Sequence, residues 1–126
     1  MPIVRIESSI PLPPQTQRGD ALASLAECVV RTLDVRPDQV RVALFDLDLL
    51  SVMVAGEYSF GSTPWIVAWV AVLDGRPQAA YDALIEEMSV LLARFYRVDL
   101  HVVRVLVTEY PAARWGIGGV PATKPA

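Results

Sequence analysis

The chain has 126 residues, 53% of them hydrophobic, with a formal net charge of −3, one cysteine and one histidine. That length suits one domain with a sizeable core. Short apolar runs broken by charge argue against a membrane span, and the lack of a basic run argues against nucleic acid as a partner. A lone Cys28 excludes an intrachain disulfide, and a lone His101 excludes a multi-histidine metal site within one chain.

Mean hydropathy is +0.38, rich for a domain of this size. Apolar surface buried between subunits accounts for such an excess, so an oligomer is expected. The first residues show neither the charged region nor the continuous apolar stretch of a signal peptide, which makes the cytoplasm the expected compartment.

Met1-Pro2-Ile3-Val4 heads an apolar strand expected over Pro2 to Glu7. If Met1 is removed, Pro2 carries a secondary amine, a backbone group able to act as general base or nucleophile. Apolar burial and nearby cations disfavour its protonated form and pull its pKa toward neutrality. Pro11-Leu12-Pro13-Pro14 marks a loop. Leu22, Leu25, Ala26, Val29, Val30 and Leu33 then recur at helical spacing, with Cys28 reading as a small core residue. A β-branched strand follows over Gln39 to Phe45, then a Gly-containing hairpin and a linker over 57–64.

The second half opens with an apolar strand over Trp65 to Leu73, and Asp74-Gly75-Arg76-Pro77 marks the next loop, Pro77 fitting a first helical turn. Leu84, Ile85, Met88, Leu91, Leu92 and Phe95 form the second helical pattern. The last long strand is expected over Leu100 to Thr108, with His101 inside it in a structural role. The tail covers 121–126.

These elements form an ordered repeat. Displaced by half its length, the chain sets Ile3-Val4 on Ile66-Val67, Val40-Arg41-Val42 on Val103-Arg104-Val105, and Gly56 on Gly119. The expected fold is α+β: two fused β-α-β units, 1–56 and 65–120, within one domain. Each long helical crossover pairs its strands in parallel. The result is a four-stranded mixed sheet with two helices on one face. The other face is apolar, and neighbouring subunits are the expected cover.

Val103-Arg104-Val105-Leu106-Val107-Thr108-Glu109, followed by Trp115-Gly116-Ile117-Gly118-Gly119, resembles the C-terminal half of 4-oxalocrotonate tautomerase. Leu73-Asp74-Gly75-Arg76 resembles the same family's strand-to-helix loop. With Met1-Pro2-Ile3 these residues are similar to a double-length member of the tautomerase superfamily, over nearly the whole chain. The resemblance implies a homotrimer, no cofactor, and a catalytic amino-terminal proline at Pro2. It implies Arg76 as the loop arginine for a substrate carboxylate, and Arg41 and Arg104 as strand arginines holding oxo and carboxylate oxygens. Trp115 stands at the family's pocket aromatic.

The first half departs from the pattern, with Leu12-Pro13 at the loop arginine and Val52 at the aromatic. A fused chain has one free amino-terminus, so one working pocket per chain is expected. Its partners are expected mainly in the better-preserved second half, reaching Pro2 across the sheet or from a neighbour. The implied reaction is enol–keto isomerisation of small 2-hydroxy-dienoate or arylenolpyruvate acids. Two alternatives stand beside it: a proline-dependent hydratase, dehalogenase or decarboxylase of the same superfamily, and a non-catalytic trimeric binding module. Against the first stand Leu73 at the second loop-arginine position and a first helix without histidine.

Overall fold

The computed structural model describes residues 1–58 and 63–123. Its first strand, β1 (Ile3–Ser8), alternates strictly: Val4, Ile6 and Ser8 are buried, and Ile3 and Arg5 are exposed. Helix α1 (Arg18–Leu33) and strand β2 (Arg41–Asp46) complete the first unit. A hairpin of β3 (Met53–Val54) and β4 (Glu57–Tyr58) follows. The second unit repeats this order with β5 (Ile66–Leu73), α2 (Gln78–Tyr96), β6 (Val103–Tyr110) and a hairpin of β7 (Gly116–Ile117) and β8 (Val120–Pro121).

The four long strands lie in the order β2-β1-β5-β6. Within each unit the pairing is parallel; between units β1 and β5 run antiparallel. The expected mixed sheet is therefore present. Both helices pack on one face, where Val4, Ile6, Ile66, Ala68, Val70 and Val72 meet Leu25, Val29 and Leu33 of α1 and Leu84, Met88 and Leu92 of α2. Each of the fully buried Val, Ile, Leu and Met side chains contributes about 1.5–3 kcal/mol relative to exposure. Among the described residues no helix is long and apolar enough to cross a membrane.

The buried stripes differ in phase from the expected ones. In α1 they are Ala21, Leu25, Cys28, Val29 and Leu33, with Leu22, Ala26 and Val30 only partly covered. In α2, Tyr81 and Tyr96 join Leu84, Met88 and Leu92, while Ile85 is exposed. Two helices side by side on one sheet cover only the stripe that faces sheet and partner helix together. Both helices end on a non-glycine residue in the left-handed region, Asp34 (φ 53°) and Arg97 (φ 55°). There Val35 and Val98 donate their N–H groups back to the carbonyls of Val30 and Ala93.

His101 is not in a strand. It sits exposed in a 3-10 turn, Leu100–Val102, whose entry is capped by the Asp99 carboxylate, and β6 begins only at Val103. Glu57–Tyr58 carries the first hairpin past residue 56, and Val120–Pro121 carries the second into the tail. The rest of the expected linker, 59–62, and tail residues 124–126 lie outside the described residues.

Candidate active site

The antiparallel contact between the units determines what surrounds Pro2. Ile3 is paired with Ala71, so the start of β1 lies beside the end of β5, where the chain turns through Asp74-Gly75-Arg76. Parallel pairing on the other side sets Ile3 against Arg41, whose N–H donates to the Pro2 carbonyl at 3.1 Å. At the same end of the sheet the Asp74 N–H donates to the Tyr110 carbonyl, 3.0 Å away. The chain then passes through a short 3-10 turn, Ala112–Arg114, to Trp115. The Trp115 ring meets Tyr110 edge-on, with centroids 5.8 Å apart.

These pieces enclose a cavity of about 250 Å³ lined by Met1, Ile3, Gln39, Arg41, Trp115 and the turn Gly116 to Gly118. Pro2 is buried beneath it, on the helix side of the sheet. Met1 is present, so the free amine is its own and the Pro2 nitrogen is an amide. Burial, and secondly the positive charge of Arg76, hold that amine's pKa below its ordinary value.

Arg76 is tightly positioned. Its Nε donates to the Leu33 carbonyl at the end of α1 (3.3 Å) and its Nη1 to the Leu73 carbonyl (3.1 Å). Beside it Tyr81 donates its hydroxyl to Glu109 at 2.6 Å. The Tyr81 pKa is raised, by burial first and then by Glu109, so the phenol stays protonated and keeps donating. Cys28 takes no part: it is buried on the inner side of α1, and burial pushes its thiol up to about 11.

Pro2, Arg41, Arg76 and Trp115 therefore gather at one end of the sheet within a single chain. Arg104 does not join them. It is paired with Val67, which lies opposite Glu7, and so belongs to the far end of the same sheet. The sequence reading took Glu109 as structural and did not single out Tyr81 or Glu7 for the site. Tyr81 and Glu109 form a pair bridging α2 and β6, and Glu7 accepts from the indoles of Trp65 (3.3 Å) and Trp69 (2.9 Å) while facing Arg5 at 3.5 Å. Strand alternation alone would have put Glu7 with Arg5 on the open face; the tyrosine pair left no local signal.

Comparison with known proteins finds no matching family model. It does find a 2-hydroxymuconate tautomerase of Pseudomonas fluorescens, 40% identical over 58 residues, which are 46% of this chain and 92% of that relative. The chain belongs to the tautomerase superfamily. Tautomerases of that curated kind are covered almost end to end by under half of this chain, in keeping with two fused tautomerase units here. Among solved structures, Pt0534 inactivated by 2-oxo-3-pentynoate superimposes with a TM-score of 0.86 at 25% identity, over 96% of each chain. The F6 fused 4-OT, an asymmetric trimer, does so with a TM-score of 0.80 at 23% identity, again over 96% of each, and shares the fold. The chain is thus a fused tautomerase-type isomerase.

Proposed function

We propose that this tautomerase ketonises small 2-hydroxy-dienoate or arylenolpyruvate acids, with Pro2 as the general base once Met1 has been removed. One observation carries the reading: the start of β1 opens on a cavity that also holds Arg41 and Trp115, and the charge of Arg76 reaches the Met1 amine there, one residue from Pro2. Such an acid has an enolic oxygen on the carbon next to its carboxylate. The neutral amine takes the enol proton and returns it to a distant carbon of the conjugated chain, leaving a 2-oxo acid.

Arg76 and Arg41 divide the charge that this transfer creates. A guanidinium fork matches a carboxylate and a neighbouring oxo oxygen in a way an ammonium does not. Held by two backbone carbonyls, Arg76 meets the developing enolate without having to reorient. Trp115 forms an apolar wall that keeps the amine neutral.

The second element of the reading is a cytoplasmic homotrimer. On the sheet face away from the helices, Ile3, Phe45, Leu106 and Tyr110 are exposed, an apolar surface that a neighbouring copy would cover. The similarity to a fused 4-OT trimer supports three copies.

The test is ketonisation of 2-hydroxymuconate and phenylenolpyruvate, followed by ultraviolet absorbance. Met1-processed wild type is expected to exceed Pro2→Ala by about 10²–10⁴-fold, the usual weight of a positioned acid–base group. Equal rates would remove Pro2 from the chemistry.

A further inference from the structure

The two units hold the carboxylate near the end of their last long strand in different ways. The displacement that sets Arg41 on Arg104 and Gly56 on Gly119 also sets Arg18 on Tyr81 and Asp46 on Glu109. In the first unit Arg18 Nη2 meets the Asp46 carboxylate at 2.9 Å, an ion pair half exposed to solvent. In the second unit a neutral phenol takes the place of that guanidinium, and Tyr81 donates its hydroxyl to Glu109 at 2.6 Å.

The unit with the phenol is also the one with the loop arginine, since Pro13 stands in the first unit where Arg76 stands in the second. Two of the five N–H groups of the Arg76 guanidinium go to the carbonyls of Leu33 and Leu73. Among the described residues no carboxylate lies within ion-pair distance of it. Glu109 is nonetheless near. It is paired in register with Val72, the neighbour of the Leu73 whose carbonyl holds Arg76. The Tyr81 hydroxyl lies between the two charges: after burial, Glu109 raises its pKa and Arg76 lowers it.

A carboxylate released beside a guanidinium pairs with it and competes with any anionic ligand. The phenol holds off that competitor without adding a second charge beside Arg76. Tyr81 is buried, and its raised pKa keeps the proton on the hydroxyl, so it remains a donor.

We propose that Tyr81 is a positioning residue of the isomerase site: by holding the Glu109 carboxylate it keeps Arg76 free for the carboxylate of the substrate. Tyr81 acts through Glu109 on Arg76 and not on the reacting atoms, and its role rests on the reading of Arg76 given above.

The experiment compares Met1-processed wild type with Tyr81→Phe, Glu109→Gln and the double variant Tyr81→Phe/Glu109→Gln. Tyr81→Phe keeps the ring and its packing. Ketonisation of phenylenolpyruvate gives KM and kcat. Calorimetric titration with phenylpyruvate, the keto product, gives a dissociation constant that needs no turnover. Tyr81→Phe is expected to raise KM and the dissociation constant about two- to fivefold, the weight of a half-exposed ion pair, with kcat held within about twofold. The double variant should return both constants to those of Glu109→Gln. In an Arg76→Ala background Tyr81→Phe should change neither. Unchanged constants in Tyr81→Phe overturn the proposal, as does a rise that persists in the double variant, which would leave the hydroxyl a packing role alone. Wild-type affinity for phenylpyruvate in Arg76→Ala overturns the reading of Arg76 and this role of Tyr81 together. Should Pro2→Ala prove as fast as wild type, the base assignment falls, and the dissociation constants still decide the role of Tyr81.

Discussion

Arg76 connects the amine, the end of α1 and the Tyr81–Glu109 pair, and its charge acts on the proton balance at the chain start. A base works only when neutral, so kcat/KM rises with pH through the amine's pKa, and a depressed pKa moves that rise to lower pH. Arg76 is the second of the two causes, after burial, that lower the pKa of the Met1 amine at this chain start, and a cation held beside the next residue acts in the same direction on the Pro2 amine. In Met1-processed Arg76→Ala the acid limb of the pH–rate profile is therefore expected to move to higher pH than in Met1-processed wild type. An unmoved limb would mean that Arg76 binds substrate without tuning the base. At this scale the proposed site residues Pro2, Arg41, Arg76 and Trp115 stand out in the sequence because each lies in a short motif. The Tyr81–Glu109 bond joins side chains separated by 28 positions, and no local pattern announces such a pair.

The two hairpins show how far the repeat persists in backbone geometry. Gly118 and Gly119 turn with φ of 60° and 86°, and Ala55 and Gly56 turn the same way with φ of 54° and 82°. A two-residue hairpin turn with both φ values positive follows the right-handed twist of its strands, but an alanine there crowds its Cβ against the backbone. Ala55→Gly relieves that crowding, offset in part by the greater chain entropy of glycine. Thermal unfolding should show the variant more stable by up to about 1 kcal/mol; a loss of stability would mean that the methyl group is packed rather than strained. The elements themselves were legible from period and punctuation. Their phase was less so: Tyr81 and Tyr96 proved to be core residues and Ile85 did not, because which stripe is covered depends on where the partner helix lies.

For the molecule as a whole, the sheet face away from the helices is the unresolved surface of a single chain. Phe45 is 47% exposed there on edge strand β2, and a hydrophobic side chain of that size left in water forgoes about 1.5–3 kcal/mol of burial. Under the trimer reading, Phe45→Glu places a charge at the contact and should convert the assembly to monomers by analytical ultracentrifugation, with circular dichroism unchanged. A trimer that persists would mean that another surface holds the copies together.

The sequence alone determined the strand–helix–strand order, its duplication and the family likeness, and suggested the chemistry proposed at Pro2, because these reside in spacing and in short motifs. Only the tertiary structure decided which arginine meets which strand start. Residues at equal positions in the two units go to opposite ends of the sheet because β1 and β5 pair antiparallel. That pairing brings Arg76 to Pro2, while parallel pairing within each unit sets Arg41 beside Pro2 and Arg104 beside Trp65, a division invisible along the chain because both strand arginines stand in the same Val-Arg-Val setting.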